Sequence, residues 1–337
     1  MKDLSALCMR IENSKFEILD QQLLPHKEKW LLVSSPEDMI DYIKKLKIRG
    51  APALAVGAVL ALGQYAESGA NEDEFKSAAK NLREARPTAV NLMICIDKML
   101  HLVDKEGYSL ELVSDLAFQI FTEDVGLCNN IATYGADLID DGDSILTHCN
   151  TGGLATAGVG TALGVIRKAH EQGKKIHVFV DETRPLLQGG RLTAWELQKL
   201  GIPYTLICDN MAAFLMSQGK IQKTIVGADR IAINGDFANK IGTLSVALSA
   251  DYFNVPFYVA APYTTVDPDC LEGSDIPIEE RKPEEVRGVQ GSHGNVIWSP
   301  KDAPVYNPAF DITPANLVSG WIMDSGVYNR QTIASLS

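Results

Sequence analysis

From residue 143 onward, short apolar runs alternate with helical stretches of roughly ten residues, and this rhythm constrains the fold more than any other feature. Ser144-Ile145-Leu146-Thr147 reads as the first strand, followed by a helix over 156–169. Strands at 175–180, 204–207, 224–227 and 256–260 follow, with helices at 193–200, around 211–217 and at 242–253 between them. Strands separated by helices cannot pair through tight hairpins. They form βαβ units, which gives an α/β fold with a doubly wound parallel sheet. Such sheets bind ligands at the carboxyl ends of their strands. Each predicted strand runs at once into polar or otherwise non-strand residues: His148-Cys149-Asn150, Asp181-Glu182-Thr183-Arg184, Asp209-Asn210, Ala228-Asp229-Arg230 and Ala261-Pro262-Tyr263. Polar groups therefore gather on one edge, and that edge is the expected site.

The residues before this region follow other periods. Short β-branched and apolar runs within 7–33 read as an antiparallel meander. Ser35-Pro36-Glu37-Asp38 carries the cap, first-turn proline and acidic residues of a helix start. A helical pattern then continues from 37 to 125, with the apolar stretch 51–62 reading as a buried helix. At 337 residues the chain has room for two domains. They are expected as a smaller N-terminal β-meander plus helical domain over 1–125 and an α/β domain over 126–337, which carries the expected site. Residues 262–310 hold Pro262, Pro268, Pro277, Pro283, Pro300, Pro304 and Pro308, too many for regular elements. A stretch of that length is expected to be a lid, a binding loop or a contact with a partner subunit.

Composition removes several classes of function. A formal charge of −12 repels phosphate backbones and anionic headgroups, so neither nucleic acid nor membrane is an expected partner. No apolar run approaches the ~20 residues of a membrane span. The first ten residues show no charged region followed by an apolar one, so no signal peptide is expected. The six cysteines lack Cys-x-x-Cys spacing, which argues against a zinc site and against a disulfide framework. Reduced thiols in the cytoplasm are the simplest account.

Two residues on the strand-end edge have chemistry to offer. Cys149 lies between a strand end and the Gly152-Gly153 break, where a helix start favours an anion and with it a thiolate. Position alone leaves both a buried structural thiol and a reactive one open. Asp229, in Gly227-Ala228-Asp229-Arg230, is an acid or base, or else the partner of Arg230 or a helix cap. His148 precedes the cysteine, yet neighbours on a strand face opposite ways, so His148 reads as a packing or supporting residue. Anion donors are Lys47, Arg49 with the Gly50-Ala51 backbone, Arg86, Arg184, Arg191 and Lys240. Neither a dinucleotide fingerprint nor a Walker motif is present.

Eight ordered blocks then resemble the 5-methylthioribose-1-phosphate isomerase family, over residues 47–327. They are Lys47-Ile48-Arg49-Gly50-Ala51-Pro52-Ala53, Arg86-Pro87-Thr88-Ala89-Val90-Asn91-Leu92, His148-Cys149-Asn150-Thr151-Gly152 and the stretch from Asp181-Glu182-Thr183 to Leu187-Gln188-Gly189. The others are Gly227-Ala228-Asp229-Arg230-Ile231, Asn239-Lys240-Ile241-Gly242-Thr243, Ile276-Pro277-Ile278-Glu279-Glu280-Arg281 and Asn307-Pro308-Ala309-Phe310-Asp311. Segments 288–294 and 319–324 are less typical of that family. The resemblance implies an aldose–ketose isomerase of 5-methylthioribose 1-phosphate in methionine salvage. It further implies a cytoplasmic homodimer acting on a small sugar phosphate, with no metal and no organic cofactor. By the same resemblance Cys149 and Asp229 are the catalytic pair, while Arg49, Gly50, Ala51, Arg86, Gln188, Asn239 and Lys240 hold substrate. Isomerases of 5-deoxyribose 1-phosphate or ribose 1,5-bisphosphate are alternatives, differing in what must fit at the sugar C5. A non-catalytic regulatory subunit of a translation-initiation nucleotide exchange factor is another, and its expected signature is loss of the cysteine–aspartate pair.

Overall fold

A computed structural model of the chain describes residues 1–86, 89–291 and 294–333. Backbone contacts divide it into two units, Met1–Cys128 with Gly153–Gly160, and Asn129–Gly152 with Thr161–Ser337.

The first unit opens with the expected meander: β1 (Leu4–Ser5), β2 (Met9–Glu12), β3 (Lys15–Leu19) and β4 (Trp30–Leu32), antiparallel and in that order. Met9 and Ile11 are buried and pair with Ile18 and Phe16, which leaves Arg10 and Glu12 on the other face. Helices α1 (Pro36–Lys44), α2 (Ala51–Glu67), α3 (Glu72–Arg83) and α4 (Val90–Glu106) follow. Ser35 caps α1 by accepting from the Asp38 N–H, and Asn71 with Glu74 forms a capping box at α3. Helix α2 is apolar all round and is buried continuously from Ala53 through Gly63, with α1, α3 and α4 against it. The division between the units falls inside α5 (Leu110–Ala136).

The helix expected over 156–169 begins only at Ala162, and 153–160 are a loop belonging to the first unit. Their backbone groups are committed elsewhere. The Ala157 N–H donates to Asp124 Oδ2 at 2.6 Å, and the Leu154 carbonyl accepts from Gln21 Nε2 at 2.8 Å. The Ala155 carbonyl takes the Ala53 N–H of α2 at 3.1 Å. Gly160, at φ +93°, then reverses the chain ahead of the helix.

The second unit carries the parallel sheet: β5 (Ser144–Thr147), β6 (His177–Asp181), β7 (Tyr204–Ile207), β8 (Lys223–Val226), β11 (Phe257–Ala260) and β15 (Gly320–Met323), with β16 (Gly326–Tyr328) antiparallel at the edge. The spatial order is β16-β15-β11-β8-β5-β6-β7. Side chains alternate between the faces. Ile145, Val178, Ile225 and Ala260 pack with α6 (Ala162–Glu171) and α7 (Ala194–Leu200); Leu146, Val226, Val259 and Trp321 pack with α8 (Ala212–Ser217) and α9 (Thr243–Tyr252). Both faces are covered, as a parallel sheet requires.

Two further features differ from the sequence reading. A separate antiparallel sheet forms from β9 (Arg230–Ile231), β10 (Phe237–Lys240) and β14 (Phe310–Thr313). The proline-rich segment holds regular elements after all, helix α10 (Glu284–Arg287) and the hairpin β12 (Gly288–Gly291) with β13 (Gly294–Ile297). Its prolines sit between these elements, where no ladder hydrogen bond is lost. Among the described residues no helix is long and apolar enough to cross a membrane.

Candidate active site

The strand order fixes where a ligand has room. From β5 the chain winds outward through β6 and β7, then returns to place β8 on the other side of β5. The connections leave in opposite directions at that point, opening a crevice at the carboxyl ends of β5 and β8. Cys149 follows β5 and Asp229 follows β8. Their loops touch: a Cβ added to Gly227 would lie 2.5 Å from Thr151 Cγ2, so only glycine fits there.

Cys149 is buried, and its φ of +66° lies in the left-handed region, which costs a side-chain-bearing residue of order 1–2 kcal/mol. Its N–H donates to Thr183 Oγ1 at 2.9 Å, and its carbonyl accepts from Thr193 Oγ1 at 2.6 Å. Asn150 Nδ2 donates to Glu196 Oε1 at 2.8 Å. The Glu196 carboxylate fills the space a side chain at Gly152 would need.

His148 is wholly buried between two acceptors, with Nδ1 2.9 Å from Asp181 Oδ2 and Nε2 2.9 Å from the Ile241 carbonyl. A carbonyl only accepts, so Nε2 carries hydrogen, and the proton that can move lies between Nδ1 and Oδ2. Burial pushes the Asp181 carboxyl up to about 6 against the pull of His148. Burial works to lower His148, yet its bond to Asp181 carries it above its usual value. The pair is neutral overall wherever that proton sits. Asp209 stands close enough to His148 and Asp181 to suggest a metal cage. However, its carboxylate already accepts from the Thr183 and Arg184 N–H groups, both at 2.7 Å. With His148 also engaged at both nitrogens, such a cage would have to break the network it replaces.

The other candidates divide between the units. Asp229 is half-buried, and its N–H donates to the Ala238 carbonyl of β10 at 2.9 Å; Arg230 pairs with Asp267 at 3.3 Å. Asn239 and Lys240 are buried on β10, Asn239 Nδ2 reaching Thr243 Oγ1 at 3.0 Å and Lys240 Nζ the Ala309 carbonyl at 2.7 Å. The next turn, into α9, is capped by Asp311, which accepts from the Gly242 and Leu244 N–H groups. Gln188 is buried just ahead of the π-helical turn Gly189–Thr193. Arg49, Gly50, Ala51 and Arg86 belong to the first unit, the first three at the start of α2. Gly50, at φ +90°, lies so close to the Ala155 backbone that no side chain fits. Pro87 and Thr88 of the second sequence block lie outside the described residues. Of the remaining basic candidates, Arg184 spends its guanidinium on the Pro185, Glu285 and Val286 carbonyls and the Trp298 ring.

Sequence reasoning passed over Thr193, Glu196 and Asp311. Glu196 carried a signal as one carboxylate inside the apolar run Leu192 to Leu197, and Asp311 as the last residue of the block that begins at Asn307.

Residues 47–330 match the model of the initiation factor 2 subunit family. The chain is 53% identical over 333 residues to the methylthioribose-1-phosphate isomerase of Yersinia pestis (strain Pestoides F), covering 99% of this chain and 96% of that one. Among solved structures it resembles the 5-methylthioribose 1-phosphate isomerase of Pyrococcus horikoshii OT3, with a TM-score of 0.91, 40% identity, and coverage of 99% and 96%. It also resembles the translation initiation factor eIF-2B, subunit delta, of A. fulgidus, with a TM-score of 0.84, 41% identity, and coverage of 98% and 100%.

Proposed function

The chain belongs to the initiation factor 2 subunit family, its relatives at 53% identity are methylthioribose-1-phosphate isomerases, and on that premise we propose how it works as one. It is an aldose–ketose isomerase that converts 5-methylthioribose 1-phosphate to 5-methylthioribulose 1-phosphate, in methionine salvage. The observation that supports this mechanism is that Cys149 and Asp229 follow the neighbouring strands β5 and β8, on either side of the switch point.

Because the anomeric oxygen bears phosphate, the ring cannot open to a free aldehyde. Asp229 gives a proton to the ring oxygen as the C1–O bond breaks and C1 becomes electron-poor. Cys149, as thiolate, takes the proton from C2, leaving an enol phosphate, and returns it to C1. Asp229 recovers a proton from the C2 hydroxyl as the ketone forms. Every proton is returned, so the reaction needs no external redox partner. Arg49, the Gly50-Ala51 backbone, Arg86, Gln188, Asn239 and Lys240 hold the substrate, with Arg49 suited to a bidentate grip on phosphate. In this reading the catalytic domain is the Rossmann-like unit Asn129–Gly152 with Thr161–Ser337, the smaller domain is Met1–Cys128 with Gly153–Gly160, and the protein works as a cytoplasmic homodimer.

Cys149→Ala and Asp229→Asn should each lower kcat roughly 10²–10⁴-fold with the circular dichroism spectrum unchanged. Substrate deuterated at C2 separates the shuttle from a direct hydride shift. Passage through a thiol exchanges label with water, whereas a shift retains all of it at C1. The similarity to an eIF-2B subunit supports a second reading, a binding module without turnover. Retention of both Cys149 and Asp229 favours the enzyme.

A further inference from the structure

Cys149 occupies a backbone conformation that it would not adopt unaided, and left-handed strain of this kind persists only where the surroundings impose it. Here the surroundings are two threonine hydroxyls that water does not reach, Thr183 at 0% and Thr193 at 1% exposure. Thr183 directs its own hydroxyl proton to the Asp181 carbonyl at 3.1 Å, which turns a lone pair toward the Cys149 N–H. Thr193 donates to the Cys149 carbonyl and accepts from Asn150 Nδ2 at 3.3 Å. The cysteine is thus gripped at both of its backbone polar groups. Asn150 is tied onward to Glu196, three positions beyond Thr193 and so on the same side of the helix. Thr193 itself closes the π-helical turn Gly189–Thr193, a local geometry frequent at functional sites.

We propose that Thr183 and Thr193 are positioning residues for the isomerisation: their hydroxyls hold Cys149 left-handed and thereby aim its thiol, with Asn150 and Glu196 bracing the loop. The proposal rests on the catalytic role given to Cys149 above. With both backbone groups fixed, only rotation about the Cα–Cβ bond remains to the thiol. A return of φ to negative values would swing Cβ, and the sulfur with it, to the other side of the chain.

Valine matches threonine in shape and replaces the hydroxyl with a methyl, whereas serine keeps the hydroxyl. Thr183→Val and Thr193→Val should lower kcat on the order of 10²-fold, as misplacement of a reacting group does, while KM stays close to wild type. Thr183→Ser and Thr193→Ser should restore most of the turnover. A second readout needs no substrate. Iodoacetamide labelling, followed by peptide mass with exposed Cys208 as internal reference, should show Cys149 labelled faster in the valine variants as the loop loosens. If one valine variant fails to fold, the other reports on the opposite side of the same cysteine, and both serine variants remain. Wild-type kcat in a valine variant, serine variants as slow as valine ones, or an unchanged labelling ratio each overturns the proposal. A wild-type protein that isomerises none of the candidate sugars overturns the function above instead, and the labelling ratio then still decides on the clamp.

Discussion

Gly242 shows how little freedom single positions around the site have. Its φ is +106°, and an added Cβ would lie 2.8 Å from Cε1 and 3.0 Å from Nε2 of the buried His148 ring. Gly242→Ala therefore meets strain and overlap together, and should destabilise the fold by about 2 kcal/mol or more, read from the urea midpoint. Asp124 is constrained differently. Burial pushes its carboxyl up to about 6, against the bonds from the Ala157 and Gly158 N–H groups and with help from the charge of Glu123. A folded-state value above the unfolded one favours the protonated form. Its stabilising effect is complete below the unfolded value near 4 and disappears as pH rises through 6. From an ordinary 3.8 to about 6 the loss amounts to roughly 3 kcal/mol. Asp124→Asn keeps an acceptor for the loop and cannot ionise. Its urea midpoint should rise relative to wild type between pH 4 and 7 and run parallel below pH 4. A difference independent of pH would show that folding leaves the Asp124 carboxyl unshifted.

At the scale of elements, the turn from β10 into α9 joins proposed substrate residues to a helix start held by one carboxylate from β14. Asp311→Ala removes both acceptors of that cap, so it should cost about 1–2 kcal/mol and raise KM more than it lowers kcat, through Lys240. A kcat loss at constant KM would argue that the cap serves the chemistry instead. Strands β5, β6, β7, β8 and β11 were legible because each is a short apolar run ending in non-strand residues, and that break also pointed to Cys149 and Asp229. Strand β15 was not: Gly320-Trp321-Ile322-Met323 follows a proline-rich stretch with no helix before it to announce a βαβ unit. Strand β9 has only two residues, and β10 and β14, four residues each, mix polar with apolar side chains and so do not stand out as apolar runs. Residues 156–161 read as helix in the sequence but are loop, because the partners that hold this stretch lie far away, Asp124 being 33 positions before Ala157. Thr193 and Glu196 escaped for the same reason, 44 and 46 positions from the backbone and side chain they hold.

For the whole molecule, a net charge of −12 and an anionic substrate make a few placed cations decisive. Arg49→Lys keeps the charge and loses the planar fork, so it should raise KM on the order of tenfold with kcat nearly unchanged. An unaltered KM would remove Arg49 from phosphate binding. Winding outward from β5 and back to β8 brings the loops after these two strands to one crevice, and the pairing of thiol and carboxylate proposed there is the centre of the account. Its most direct test is NMR of the purified protein with 5-methylthioribose 1-phosphate, 5-deoxyribose 1-phosphate and ribose 1,5-bisphosphate, run beside Cys149→Ala. The account predicts a ketone signal from 5-methylthioribose 1-phosphate with the wild-type protein and none with the variant; ketone formation by Cys149→Ala at the wild-type rate would contradict it.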